Sequence, residues 1–317
     1  MKRFVTPLLF CLCLVSCSTS NNEYEDTFYG YGQTRIYLKT YQGTDKNIQE
    51  LKGILNTFSK ETDNYLACDV NNVYTINNSS SDVVISENLY VCLKKAKTLT
   101  TELDSYFSMY LGSLSKIWKN ALSTKILPSN ETITTELSKV TSTNLTLKEN
   151  NVVSKSGEGE IDLGAFAKGY ALDLSKQYFK EKGISQYLVD AGSSSILLGE
   201  KNTDDGLFTI KLKDLSETYI KAKNTCVSTS SIQEQCALID GSRYTHIVNP
   251  KNGIAQTVND TVIVLSQDGA LGDALSTSLM LMSETEIIAI EEDYNVQTIV
   301  IRDHKVTHCH QDIQLLH

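Results

Sequence analysis

The chain has 317 residues, of which 29 are Lys or Arg and 38 are Asp or Glu, and its formal net charge is −9. That length suffices for one large or two fused substructures with a buried core. The acidic balance excludes a nucleic-acid-binding role carried by a basic surface.

Lys2 and Arg3 precede an apolar run over residues 4–15 that is interrupted by Pro7 and is too short to span a bilayer. A basic start before a short apolar core reads as a signal peptide, not as a transmembrane helix. Leu14, Val15 and Ser16 then lead to Cys17, a run that resembles the bacterial lipobox. Residues 1–16 are therefore expected to be a lipoprotein signal peptide, Cys17 the lipidated first residue of the mature chain, and residues 17–27 a polar tether. The alternative is a secretory signal cleaved nearby with an incidental cysteine. The expected location is the cell membrane, lipid-anchored on the outer, extracytoplasmic face. Loss of Lys2 and Arg3 moves the formal charge from −9 to −11, so no nucleic-acid partner is expected.

Residues 34–41 alternate like a strand, and Ile48, Leu51, Leu55 and Phe58 mark one face of a helix. Leu89, Leu93, Ala96 and Leu103 mark a second helix after Ser86, a candidate N-cap. Residues 162–173, DLGAFAKGYALD, read as a strand-to-helix turn: Gly164 loosens the turn, and residues 165–182 carry a helical pattern closed by Gly183. Lys168 and the first-turn amides then face a helix start that favours an anion such as a phosphate. A helix that needs glycine only for close packing on a sheet is the competing reading.

Residues 186–190, 195–198, 208–212, 244–248 and 261–265 read as strands, several with the spacing of a meander. Residues 242–253, SRYTHIVNPKNG, place His246 on a strand before a turn at Asn249–Gly253. The other four histidines fall in the last fourteen residues, so His246 alone lies within the body. In residues 268–282, Leu271, Leu275, Leu279 and Met282 supply a core face, while Asp273 and Thr277 lie four apart on a different, shared polar face. A carboxylate and a hydroxyl one turn apart are hard oxygen donors of the kind that hold Mg²⁺, although a solvated helix face has the same pattern. With three prolines and no linker after residue 30, residues 28–317 are expected to form one α+β domain with mixed or antiparallel sheets flanked by helices.

Cys11, Cys13 and Cys17 belong to the export segment. Cys68, Cys92, Cys226, Cys236 and Cys309 remain, without CxxC spacing, which argues against a zinc module. A Cys226–Cys236 bridge across a loop and buried free thiols are both open, the latter favoured.

The segments at residues 162–171, 187–192, 244–253 and 273–277, in this order, resemble the ApbE-type FAD:protein FMN transferases, a T-fold-related family. The resemblance covers residues 28 to about 303. It implies that Asp162 and Lys168 contact FAD, that Ala165 offers its carbonyl to Mg²⁺, and that Asp273 and Thr277 are the side-chain metal ligands. It also implies that His246 and Ile247 line the flavin end, with Asp273 or His246 taking the proton in catalysis. Tyr31, Tyr65, Tyr106, Phe107 and Ser108 correspond to cofactor-contacting positions. Tyr31 stands where the family usually has methionine, Ser108 where it usually has aspartate, and Ser113 where it usually has proline. The implied reaction is Mg²⁺-dependent transfer of FMN from FAD to a threonine or serine hydroxyl with release of AMP. The implied partners are FAD and an acceptor protein with an FMN-binding domain, of Rnf or Nqr type or an extracellular electron-transfer protein. A metal-dependent FAD pyrophosphatase and a flavin-storing lipoprotein without activity are the alternatives, the latter favoured by Ser108.

Overall fold

The computed structural model describes residues 23–317, so the signal segment and Cys17 lie outside the described residues. The chain enters through a hairpin, β1 (Tyr24–Gly30) and β2 (Thr34–Thr40), whose register pairs Tyr24 with Thr40 and Gly30 with Thr34. Residues 24–27, expected in the tether, are thus strand. As an edge strand, β1 leaves its side chains half-exposed, which is why YEDTFYG reads as polar linker.

Helix α1 (Asp45–Glu61) starts at a reciprocal cap between Thr44 and Asn47 and buries Ile48, Leu51, Leu55 and Phe58, the face its spacing predicts. A short helix α2 (Val73–Asn78) and strand β3 (Val83–Val84) lead to α3 (Glu87–Glu102), where Ser86 accepts from the Leu89 amide. Then follow α4 (Gly112–Thr124), α5 (Asn130–Ser142), β4 (Asn144–Lys148) and β5 (Val152–Ser156), the last two forming a small sheet with β3. The central helix α6 spans Ala167–Glu181, two residues later than its pattern predicts, and Gly183 follows its end at φ +67°.

The second half is mostly strand: β6 (Tyr187–Ala191), β7 (Ser195–Leu198), β8 (Phe208–Lys211), β9 (Tyr219–Ala222), β10 (Thr225–Ser231), β11 (Cys236–Ile239), β12 (Ser242–Thr245) and β13 (Thr261–Ser266). Helices α7 (Gly269–Leu279) and α8 (Glu284–Tyr294), then β14 (Gln297–Arg302) and β15 (Lys305–Cys309), complete it. Strand β12 stops at Thr245, so His246 sits just past the strand, not on it.

Eight strands form one antiparallel sheet in the order β1-β2-β6-β7-β10-β13-β14-β15. The period-two alternation sends Cys226 and Leu197 to one face and Val227 and Leu198 to the other. The first face packs on α1, α6 and α7, with α3 joining the same core, which includes Phe58, Phe166, Phe179 and Leu275. The second is covered by the β8–β9 hairpin and the C-terminal segment, through Phe208, Ile220 and Ile313. Cys68, Cys92, Cys226, Cys236 and Cys309 are all free thiols, with Cys226 buried and Cys236 exposed, so the 226–236 bridge is absent. Among the described residues no helix is long and apolar enough to cross a membrane.

Candidate functional site

Where α6 and α7 begin, their backbones touch. A Cβ built on Gly169 would lie 2.1 Å from the Gly269 carbonyl oxygen, and one on Gly269 would lie 2.4 Å from the Gly169 oxygen. Only glycine fits either position. Gly169 is thus required for close packing, against helix α7 and not against a sheet as expected. Its amide is taken by a side chain of the protein, since Asp273 Oδ2 accepts from it at 2.6 Å.

Asp273 is 5% exposed, which corrects the expectation of a polar outer face on α7. Its Oδ1 accepts from Ser195 on β7 at 2.8 Å and from Ser228 on β10 at 2.7 Å. Burial pushes its carboxyl above the usual carboxylate range, against the opposing pull of Lys168, Ser228, Ser195 and the Gly169 amide. Thr277, one turn on, is half-buried and shares a hydroxyl contact with Ser230 at 3.1 Å, while Ser230 also meets Ser276 at 3.0 Å. Leu271, expected in the core, is only partly buried, because the side of α7 pressed on the sheet is the one carrying Gly272, Asp273 and Ser276.

These groups open into a cleft of about 250 Å³. It is lined by nine residues expected at the site: Tyr65, Ser108, Asp162, Ala165, Lys168, His246, Ile247, Asp273 and Thr277. Lys168 reaches Ser194 with its ammonium, and its own backbone N–H has no protein partner among the described residues. Asp162 forms an Asx turn by accepting from the Gly164 amide at 2.8 Å. Burial holds its carboxyl above the usual range, opposed by the Gly164 amide, Ser115, Lys116 and Lys119. Tyr65, 48% exposed, lies under two cations, Lys119 at 5.2 Å and Lys116 at 5.7 Å from the ring centre.

His246 is fixed by the β11–β12 hairpin. Its backbone N–H and its ring Nδ1 both meet the Gln235 carbonyl at 3.2 Å. A carbonyl only accepts, so Nδ1 carries the proton and Nε2 is the free basic nitrogen. Burial pushes the imidazole below its ordinary value, with the Gln235 carbonyl acting in the opposite direction.

Three expected contacts are placed elsewhere. Tyr31 directs its hydroxyl to the Leu55 carbonyl and its ring to Phe58, 6.4 Å away. Tyr106 hydrogen-bonds Glu286, and Phe107 is buried against Phe166. None of their side chains lines the cleft: the β1–β2 turn directs Tyr31 onto α1, and the 104–107 turn packs Tyr106 outward and Phe107 into the core. Cys17 lies outside the described residues. Ser194, Ser195, Ser230, Lys119 and Gln235 also line the cleft and Ser228 holds Asp273, although none of them is among the expected site residues. Ser195, Ser228 and Ser230 sit on strands and Ser194 in the turn before β7, and the serine-rich runs SSS at 193–195 and STSS at 228–231 were the available signal.

The Ala165 carbonyl, the Asp273 carboxylate and the Thr277 hydroxyl share one cleft and are all hard oxygen donors, so the residues present fit a Mg²⁺-type cation. Asp273 Oδ2 has one protein donor and therefore a lone pair to give. Among the described residues no group of three or more His, Cys, Asp or Glu is assembled, so any metal here draws on carbonyl, hydroxyl, water or substrate oxygens.

The fold is shared with solved structures. The ApbE protein from Thermotoga maritima superposes with a TM-score of 0.75 at 22% identity, covering 92% of this chain and 96% of that one. The flavin transferase ApbE from Vibrio cholerae gives 0.74 at 21% identity, covering 92% and 97%. In sequence, the FAD:protein FMN transferase of Vibrio cholerae is 23% identical over 81% of this chain and 77% of its own. That of Klebsiella pneumoniae is 27% identical over 69% and 70%. The ApbE family model matches residues 31–300, a span that holds every cleft residue described above, and the chain belongs to the ApbE family.

Proposed function

We propose that this protein transfers FMN from FAD to a threonine or serine hydroxyl of an acceptor protein and releases AMP. The observation that carries the reading is the meeting in one cleft of hard oxygen donors, a lysine at a helix start and a histidine with a free Nε2. The relatives named FAD:protein FMN transferase support the same reaction class.

Ala165, Asp273 and Thr277 would hold Mg²⁺, which would supply Lewis-acid neutralisation of the diphosphate charge. The Lys168 ammonium, its unpaired amide and the positive end of α6 meet the diphosphate of FAD. His246 Nε2 accepts the proton of the acceptor hydroxyl as that oxygen bonds to the FMN-side phosphorus. The P–O bond to the AMP phosphate breaks, and AMP leaves as the anion beside Lys168. Tyr65 supplies an aromatic surface at the cleft mouth for a ring of the dinucleotide.

The test is to incubate the full chain with FAD, Mg²⁺ and an FMN-binding acceptor domain. A covalent mass gain on the acceptor matching FMN, with AMP formed only when acceptor is present, is the expected result. AMP formed equally fast without acceptor identifies a pyrophosphatase, and tightly held FAD with no AMP identifies a flavin carrier.

The run before Cys17 supports a lipid anchor on the outer membrane face, near an acceptor of Rnf or Nqr type or an extracellular electron-transfer protein. Cys17→Ala should release the protein from the membrane fraction. Retention of that variant, with no lipid on the native protein, rejects the anchor.

A further inference from the structure

The contact between α6 and α7 has an internal symmetry. Each helix carries a glycine in its first turn and an aspartate four residues on, Gly169 with Asp173 and Gly269 with Asp273. Each aspartate accepts from the other helix's glycine amide, Asp273 Oδ2 from Gly169 and Asp173 Oδ1 from Gly269, both at 2.6 Å. One half of this clasp faces the cleft. The other faces away from it and touches none of the cleft groups.

The far half is completed by four further bonds. Asp173 Oδ2 accepts from the Ala270 amide at 3.1 Å and from Lys95 of α3 at 3.1 Å. Asp268 accepts from the Leu271 amide at 2.9 Å and from Lys95 at 2.5 Å. Together with the Asp268 carbonyl, which takes the Gly272 amide, these satisfy all four amides at the start of α7. Helix α7 therefore owes its axial position to Asp173 as well as to its own N-cap. Asp273 and Thr277 stand four and eight residues beyond Gly269 on that helix, and the Ala165 carbonyl stands just before α6. A slide of α7 along α6 changes the separation of those three oxygens.

Resting on the flavin-transfer reading, we propose that Asp173, held by Lys95, is a positioning residue for metal binding: its grip on the Gly269 and Ala270 amides sets α7 against α6 so that Ala165, Asp273 and Thr277 converge. It touches neither substrate nor metal. Asp173→Asn keeps the size but puts an amide NH₂ where one of three donors must be accepted, so the clasp loosens on one side only.

The experiment is calorimetric titration of Mg²⁺ into the FAD-free full-length chain, alongside the Mg²⁺ dependence of FMN transfer. In Asp173→Asn, the Mg²⁺ dissociation constant should rise about tenfold, as for residues that orient metal ligands from behind. The Mg²⁺ concentration for half-maximal transfer should rise by the same factor, while kcat at saturating Mg²⁺ stays within about twofold. A merely structural role lowers Tm and leaves Mg²⁺ affinity unchanged, and that result overturns the proposal. Should Asp173→Asn fail to fold, Lys95→Gln, which leaves both amide bonds in place, should shift Mg²⁺ affinity in the same direction; no shift overturns the proposal. A native chain that binds no Mg²⁺ overturns the metal reading and this proposal together. Native binding and transfer with unaltered variants overturn this proposal alone.

Discussion

Ser195 and Ser228 stand opposite each other in the β7–β10 register and donate to the same oxygen, Asp273 Oδ1. Two hydroxyls from adjacent strands and one amide from a helix start therefore converge on a single buried carboxylate. Asp273 is thus a tie between sheet and helices as well as a ligand candidate.

Asp273→Ala is expected to abolish FMN transfer and also to destabilise the fold by about 3 kcal/mol, since an unsatisfied buried donor costs about 1–3 kcal/mol. A calorimetric melt and the acceptor mass assay, run on the same preparation, check both. A variant with native Tm contradicts the burial, and one with native transfer contradicts the ligand role.

Gly169→Ala places a methyl 2.1 Å from the Gly269 oxygen, a contact that backbone must yield to relieve. The expected loss is at least about 2 kcal/mol, in the range for overpacking a tight interior. Gly32→Ala, in open space but at φ +72°, is the control for backbone strain without a clash. Thermal melts of both should rank Gly169→Ala lower.

Burial pushes the His246 imidazole below its ordinary value, so the neutral ring is favoured and its protonation is displaced towards acid pH. Transfer is expected to be level through neutral pH and to decline on the acid side as Nε2 is protonated. His246→Gln should lower kcat about 10²-fold or more and remove that acid limb. A profile in which native and variant fall in parallel shows that another group titrates.

Tyr65→Ala should raise the KM for FAD several-fold with kcat little changed, because an aromatic surface at the mouth binds ground and transition states alike. Tyr65→Phe, which retains the ring under Lys116 and Lys119, should stay near native. Steady-state kinetics over a range of FAD concentrations separate the two variants.

Much of this site was legible along the chain, for identifiable reasons. Helical spacing placed Asp273 and Thr277 one turn apart, and a glycine-loosened turn placed Lys168 at a helix start. The burial of Asp273 was not legible, because spacing reports which residues share a face and not what covers that face. The Ser195–Ser228 pair depends on antiparallel register between strands about thirty residues apart, which no local pattern encodes. The Gly-x-x-x-Asp pair at 169–173 and 269–273 was present in the sequence, but its meaning arises only when the two helices meet. Tyr31, Tyr106 and Phe107 were placed at the cofactor by resemblance alone, and local packing takes their side chains elsewhere.

Strand β1 begins at Tyr24, seven residue steps after Cys17, and a fully extended leash of that length reaches at most about 25 Å. A folded body of this size is roughly 50 Å across. With a lipid on Cys17, the protein cannot rise from the bilayer by its own diameter. Its customers would then be chosen by altitude, since only hydroxyls presented within that shallow layer come within range of the cleft.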